Sequence, residues 1–201
     1  MSGFPTSIDG KISFAEGLKN EANELFKAGD LKKARSTYAK VFSFTRGLPG
    51  STFDKQHAGS FDTSQYLDAD EERITPEQEK QCVVLEVNTR NNLATICIKQ
   101  KKAENAVDHC DHALHLDKDN WKAHLRHGQA KAMLHELESA RFSLLRAKSL
   151  APEANKACAA LELNRVMARQ KEESVQAAKV QRKRMQGAFE KMENEMDVEN
   201  T

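Results

Sequence analysis

Several features are missing from this chain, and each absence narrows what it can be. No apolar run approaches the roughly 20 residues needed to cross a membrane. The opening residues, MSGFPTSIDGKIS, hold neither a basic stretch nor the apolar core of a secretory signal, so the expected address is the cytoplasm. Cysteine is sparse, with Cys82, Cys97, Cys110 and Cys158 and no CxxC pair, which argues against a metal or redox motif. Charge of one sign is not in excess: 31 Lys and Arg face 30 Asp and Glu. That balance argues against a general binder of nucleic acid or of acidic substrates. A Gly-rich phosphate loop, a nucleophile elbow and an HExxH motif are all absent, so neither enzymatic activity nor a cofactor is expected. Proline does not recur after Pro152.

What is present is a spaced set of small residues. Between Trp121 and Pro152, Gly128, Ala140 and Ala147 interrupt a helix-forming, charge-rich run. Two helices approach closely only where the side chains between them are small, so a Gly facing two alanines marks a crossing. A shift of 34 residues, the period of a helix–turn–helix repeat, carries Gly128 onto Ala94, Ala140 onto Ala106 and Ala147 onto Ala113. Trp121 falls on Val87. The signature returns at Ala22, Ala34 and Val41, displaced by 72 positions, which is 38 more than one repeat. The pattern is an all-α array of three units with an insertion after the first. Cys97 and Cys110 fall where helices pack and read as small core residues in a reducing compartment.

In chain order, residues 1–12 are expected to be a flexible lead-in. Ser13 and Glu16 form a capping-box pattern that starts a helix near Phe14 and ends it at Gly29, and Asp30 caps the next helix. The repeats are expected at 13–46, 87–120 and 121–152. Residues 47–74, Gly- and Pro-containing, acidic and without a period, are expected to be a mobile loop. Thr75, Pro76 and Gln78 supply a helix start, giving an extension over 75–86. A terminal helix is expected over 153–196, with Ala157, Leu161 and their neighbours capping the last repeat, and a tail over 197–201. Along it Met185, Phe189, Met192 and Met196 form a narrow apolar stripe beside Lys179, Arg182, Lys183 and Arg184.

The first helix of each pair lines the concave side of such a stack, so its polar residues converge on one groove. Those helices carry Lys19 and Asn23, four apart, then Asn92, then Lys122 and Arg126, four apart. Three cations and two amides can all donate hydrogen bonds, and none carries negative charge. Such a set suits oxygen anions, and two clustered carboxylates suit it better than one. Lysine and arginine on amphipathic helices are commonly just solvated. The two asparagines, poor helix formers, gain nothing from that explanation.

At this point the chain resembles the tetratricopeptide-repeat (TPR) domains of the carboxylate-clamp cochaperones, including the large FK-binding immunophilins. LKNEAN supplies Lys19 and Asn23, NNLATIC supplies Asn92, and WKAHLRHG supplies Lys122 and Arg126. The stretch NNLATICIKQKKAENAVDHCDHALHLDKDN and the tail RKRMQGAFEKM are similar to the immunophilin repeats. GLPG followed by TPEQE is similar to the small tetratricopeptide-repeat-protein-nine family. The resemblance implies an α-solenoid of three TPR repeats with a long C-terminal capping helix. It also implies that the five residues hold two carboxylates of a Glu-Glu-Val-Asp tail on heat shock protein 90 or heat shock protein 70. The chain departs from the family in having Ala22 for a frequent Gly, Lys101 and Lys102 for a Gly-Asp turn, and Lys118 for Pro.

Two other readings bear on the same residues. His109, His112 and His115, with His124 and His127 beyond, invite a zinc site, but i, i+3, i+6 spacing fans around a helix. No metal is expected. The terminal helix, basic beside Met and Phe anchors, has the make-up of a calmodulin target, or of a surface for self-association or a second partner. Packing against the repeats or against another chain competes with that reading.

Overall fold

The computed structural model describes residues 5–46, 48 and 73–199, the last eleven as backbone only. Among them are seven helices and no strand: α1 (Ile8–Lys27), α2 (Leu31–Thr45), α3 (Pro76–Lys99), α4 (Ala103–Leu116), α5 (Trp121–Met133), α6 (Leu137–Leu150) and α7 (Glu153–Glu199). Packing follows chain order. α1 lies on α2, α3 on α4 and α5 on α6, while α4 meets α5 and α6 meets α7. The result is an all-α solenoid of three helix–turn–helix repeats closed by a long terminal helix.

Small residues set the crossings. Ala22 and Ala34 are fully buried in the first repeat, Ala94, Ala106 and Ala113 in the second, and Ala140 and Ala147 in the third. At Gly128 the approach is tightest: a Cβ there would sit 2.6 Å from Leu144 Cγ and 3.1 Å from the Ala140 carbonyl oxygen. Each pair turns through a left-handed residue at the same register, Gly29 at φ 84°, Lys101 at φ 58° and His135 at φ 62°. The following N–H bonds back to the helix in all three, Asp30 to Leu25, Lys102 to Cys97 and Glu136 to Lys131, at 2.9–3.0 Å. Only Gly adopts that conformation without a steric cost, of about 1–2 kcal/mol for other residues. Lys101 and His135 thus pay in strain for a turn that Gly29 makes freely.

The first helix begins earlier than its sequence suggested. Residues 8–12 are helical rather than a flexible lead-in, and the N-cap is Ser7, whose hydroxyl accepts from Gly10 N at 3.2 Å. Gly10, which reads as a breaker, permits this start, since a Cβ there would lie 2.9 Å from Ser7 Oγ and 3.0 Å from Pro5 Cβ. Ile8 and Ile12 are buried with Leu48 and Cys82, and Ile74 packs beside them. The extension of α3 supplies this partner surface, and Gln78 Nε2 donates to Asp9 Oδ1 at 2.6 Å. Thr75 and Gln78 form the capping box at the head of α3. The expected mobile loop, 47–74, lies outside the described residues except for Leu48, Arg73 and Ile74.

α7 runs three residues past the expected end at 196, into the expected tail; residues 200 and 201 lie outside the described residues. Its capping face is Ala159, Leu163 and Val166, packed on Leu125, Leu137, Leu144 and Ala147. Ala157 and Leu161, the residues named from sequence, are exposed instead, because they lie off this stripe. Arg169 Nη1 donates to the Ala132 carbonyl at 2.9 Å, and one turn further on Glu173 Oε1 lies 3.7 Å from His135 Nδ1. Residues 171–188 are exposed, Met185 among them; the side chains of Phe189, Met192 and Met196 lie outside the described residues. Among the described residues, no helix is long and apolar enough to cross a membrane.

Candidate functional site

The helix register places the five clamp candidates on the three first helices. Lys19 and Asn23 are half-buried, one turn apart on α1; Asn92 is half-buried on α3; Lys122 is exposed and Arg126 half-buried, one turn apart on α5. Asn23 and Asn92 are brought together directly. Asn92 Nδ2 donates to Asn23 Oδ1 at 3.1 Å and to the Tyr38 hydroxyl at 3.1 Å, and that hydroxyl donates to Asn23 Oδ1 at 2.5 Å. This closed ring occupies both hydrogens of the Asn92 amide and the carbonyl oxygen of Asn23. It leaves Asn23 Nδ2 with two hydrogens to offer a ligand.

Arg126 is anchored to the same helix as Asn92. Its Nε donates to Thr95 Oγ1 at 2.9 Å and its Nη1 to Gln129 Oε1 at 3.3 Å. Thr95 in turn donates to the Asn91 carbonyl at 2.9 Å, so its hydroxyl oxygen is turned to accept. Among the described residues Lys19 and Lys122 make no such bond; the Lys122 ammonium lies 5.8 Å from the Trp121 ring. None of the three cations has a carboxylate partner among the described residues. A cleft of about 660 Å³ opens beside the amide pair, lined by Asn20, Asn23, Phe26, Lys27, Tyr38 and Asn92 together with Glu21 and Glu24.

Tyr38, Thr95 and Gln129 were missed by sequence reasoning as polar members. Tyr38 counted as an apolar residue of the first repeat, which its burial supports, and only the fold shows its hydroxyl meeting two amides from other helices. Burial raises its pKa above the ordinary tyrosine value, and the bond from Asn92 opposes that rise. The hydroxyl therefore stays protonated and able to donate.

Beneath the groove a buried ionic group fixes α3 against α2. Glu86 accepts from Arg46 Nη2 at 2.6 Å and from Arg90 Nε and Nη2 at 3.3 Å. Both guanidinium groups lie over the Phe42 ring, at 4.6 and 4.8 Å. Arg90 also reaches His109 Nδ1 at 3.4 Å, so His109 turns inward rather than joining its neighbours. Burial, then the Arg90 charge, pushes His109 down to about 4. Among the described residues no three His, Cys, Asp or Glu are placed to share a metal ion.

Ser143, His127 and Asp111 are strung together, with 2.8 Å from His127 Nδ1 to Ser143 Oγ and 3.3 Å from Nε2 to Asp111 Oδ1. The order is that of a hydrolytic triad. Ser143 is buried, however, and its hydroxyl donates to the Ser139 carbonyl at 3.0 Å. It is closed to a substrate and serves helix packing.

With this geometry in view, the likenesses to known proteins are specific. No protein-family model matches the chain. It is 26% identical over 147 residues to the peptidyl-prolyl cis-trans isomerase FKBP42 of Arabidopsis thaliana, an alignment that takes in 73% of this chain and 34% of that protein. The chain thus spans about a third of the length of that relative. Among solved structures it is similar to the C-terminal TPR-containing domain of an FK506-binding protein of Plasmodium falciparum. There the TM-score is 0.65 at 24% identity, over 85% of this chain and 97% of that one. It is also similar to the first TPR of Spaghetti (RPAP3), solved with the HSP90 peptide SRMEEVD bound. That match has a TM-score of 0.55 at 22% identity, over 78% of this chain and 95% of that one.

The fold is therefore that of a tetratricopeptide-repeat domain, an architecture that presents an interaction surface rather than an enzyme's pocket. More narrowly, the chain resembles the repeat domains of the immunophilin-type cochaperones.

Proposed function

We propose that this protein is a non-enzymatic, cytoplasmic cochaperone adaptor that captures the C-terminal Glu-Glu-Val-Asp tail of heat shock protein 90 or heat shock protein 70. The observation that carries the reading is the Asn23–Asn92–Tyr38 ring, with Lys19 one turn from Asn23 on α1 and Lys122 and Arg126 on α5, cations without a carboxylate partner among the described residues. Asn23 Nδ2 and Lys19 take the terminal carboxylate, and Lys122 and Arg126 take the Asp side chain. Asn92 holds the Asn23 amide in its donating orientation. The peptide on the RPAP3 domain ends in the same four residues, which supports the choice of ligand.

Hydrogen bonds to charged groups are each worth about 1.5–3 kcal/mol, so a short extended peptide with few anchors binds in the region of micromolar. Calorimetric titration of such a peptide tests the reading. Arg126→Ala weakens binding by roughly tenfold to a hundredfold, and Lys122→Glu weakens it further by adding repulsion. Unchanged affinity in both variants contradicts it.

The exposure of α7 over residues 171–188 favours one addition: this length of helix is open to a second partner, of the calmodulin type or a further copy of the chain.

A further inference from the structure

The helices behind the groove form a second cationic recess. Lys32, Arg35, Ser36 and Ala39 lie on one side of α2, and with Gln100 and Lys102 of the α3–α4 turn they line a cleft of about 790 Å³. It shares no residue with the clamp. Three cations, a hydroxyl and an amide border it, and no carboxylate does. Two acids lie close in sequence: Asp30 is already committed, accepting from Lys33 N at 3.0 Å and pairing with Lys33 Nζ at 3.2 Å, and Glu104, two residues beyond Lys102, does not line the recess. Lys32, Arg35 and Lys102 have no carboxylate partner among the described residues. Gln100 Oε1 is buried without a hydrogen-bond partner among the described residues.

We propose that this recess binds a phosphorylated serine or threonine side chain of a partner protein, independently of the clamp. A carboxylate brings one charge and would leave two of the three cations uncompensated. A phosphate monoester brings about −1.5 to −2 with three acceptor oxygens. Arg35 offers a planar fork of donors to two of those oxygens, and Lys32, Lys102 and Ser36 supply donors to the third. The volume admits a side chain together with its flanking backbone. A lipid surface fits less well, because none of the exposed large apolar side chains, Phe142 and Leu145 among them, borders the recess. Nucleic acid fits less well too, since no aromatic ring lines it for base stacking.

The test is an amide nuclear magnetic resonance titration of the full chain. The probe is a synthetic pentapeptide, Gly-Ala-phosphoserine-Ala-Gly, blocked at both ends so that it offers the clamp no carboxylate. Saturable shifts are expected at Arg35, Ser36, Gln100 and Lys102, and none with the unphosphorylated peptide. The pair Arg35→Gln and Lys102→Gln, both at exposed positions, should weaken the response at least tenfold while leaving the thermal melt unchanged; Lys122→Glu should leave the response intact. If the double variant melts early, the single Lys32→Gln replaces it, with a several-fold loss expected. An equal response to the unphosphorylated peptide overturns the proposal. So do shifts confined to the clamp, inorganic phosphate binding as tightly as the peptide, or a response only to phosphatidylserine vesicles.

Discussion

The Tyr38 hydroxyl lies 2.5 Å from Asn23 Oδ1, and this bond decides which edge of the Asn23 amide the groove receives. With the oxygen held by Tyr38 and Asn92, the donor end is left for a ligand. Tyr38 is 1% exposed, so its hydroxyl is part of the core as well as of the site.

Tyr38→Phe separates the two roles. Loss of one buried neutral bond should lower stability by about 1 kcal/mol and, by loosening Asn23, weaken peptide binding by roughly fivefold to tenfold. Calorimetry and a thermal melt on the same sample check both. Binding unchanged beside a lowered melt would show that the ring serves packing alone.

The small-residue signature was legible because helix crossings tolerate only a few side-chain sizes, and Gly128 and its alanines recur at fixed spacing. The clamp candidates could be assigned to the first helices because the same repeat sets the register that carries them. Less was visible at the first helix. Ile8 and Ile12 have meaning only against Leu48 and Cys82, contacts that join distant parts of the chain, and Gly10 disguised the helix start. Tyr38 was hidden for a similar reason: a buried tyrosine reads as apolar until its neighbours are known. The capping face of α7 was misplaced by two residues because its alanines and leucines recur too often for the pattern to choose among them.

Gly128→Ala tests the crossing of α5 and α6. A methyl group there meets Leu144 at 2.6 Å, and neither helix can move without disturbing Ala140 or Ala147. Overpacking of this kind costs about 1–3 kcal/mol, which a urea midpoint will show. The opposing gain in helix propensity is about 1 kcal/mol, so a net stabilisation would mean that the helices are not held this close.

Stability should also fall in mild acid. His109 titrates at about 4 in the folded chain against 6.5 in the unfolded one, through burial and then Arg90. Between those values the unfolded chain binds a proton that the folded chain refuses, so stability drops as pH falls through that window and is indifferent to His109 above it. His127, lowered chiefly by burial, acts in the same direction. The urea midpoint at pH 5 should lie below that at pH 7, and His109→Gln should reduce the difference. An undiminished difference in the variant would exclude His109 as a source.

The most direct test of the clamp alters the ligand and leaves the protein alone. Amidating the C-terminus of a peptide ending in Glu-Glu-Val-Asp removes one carboxylate and keeps every apolar contact. With Asn23 Nδ2 and Lys19 deprived of their anion, affinity should fall by at least tenfold, the loss of about one charge-assisted bond. If the amidated peptide binds as tightly as the free acid, the groove is not a carboxylate clamp.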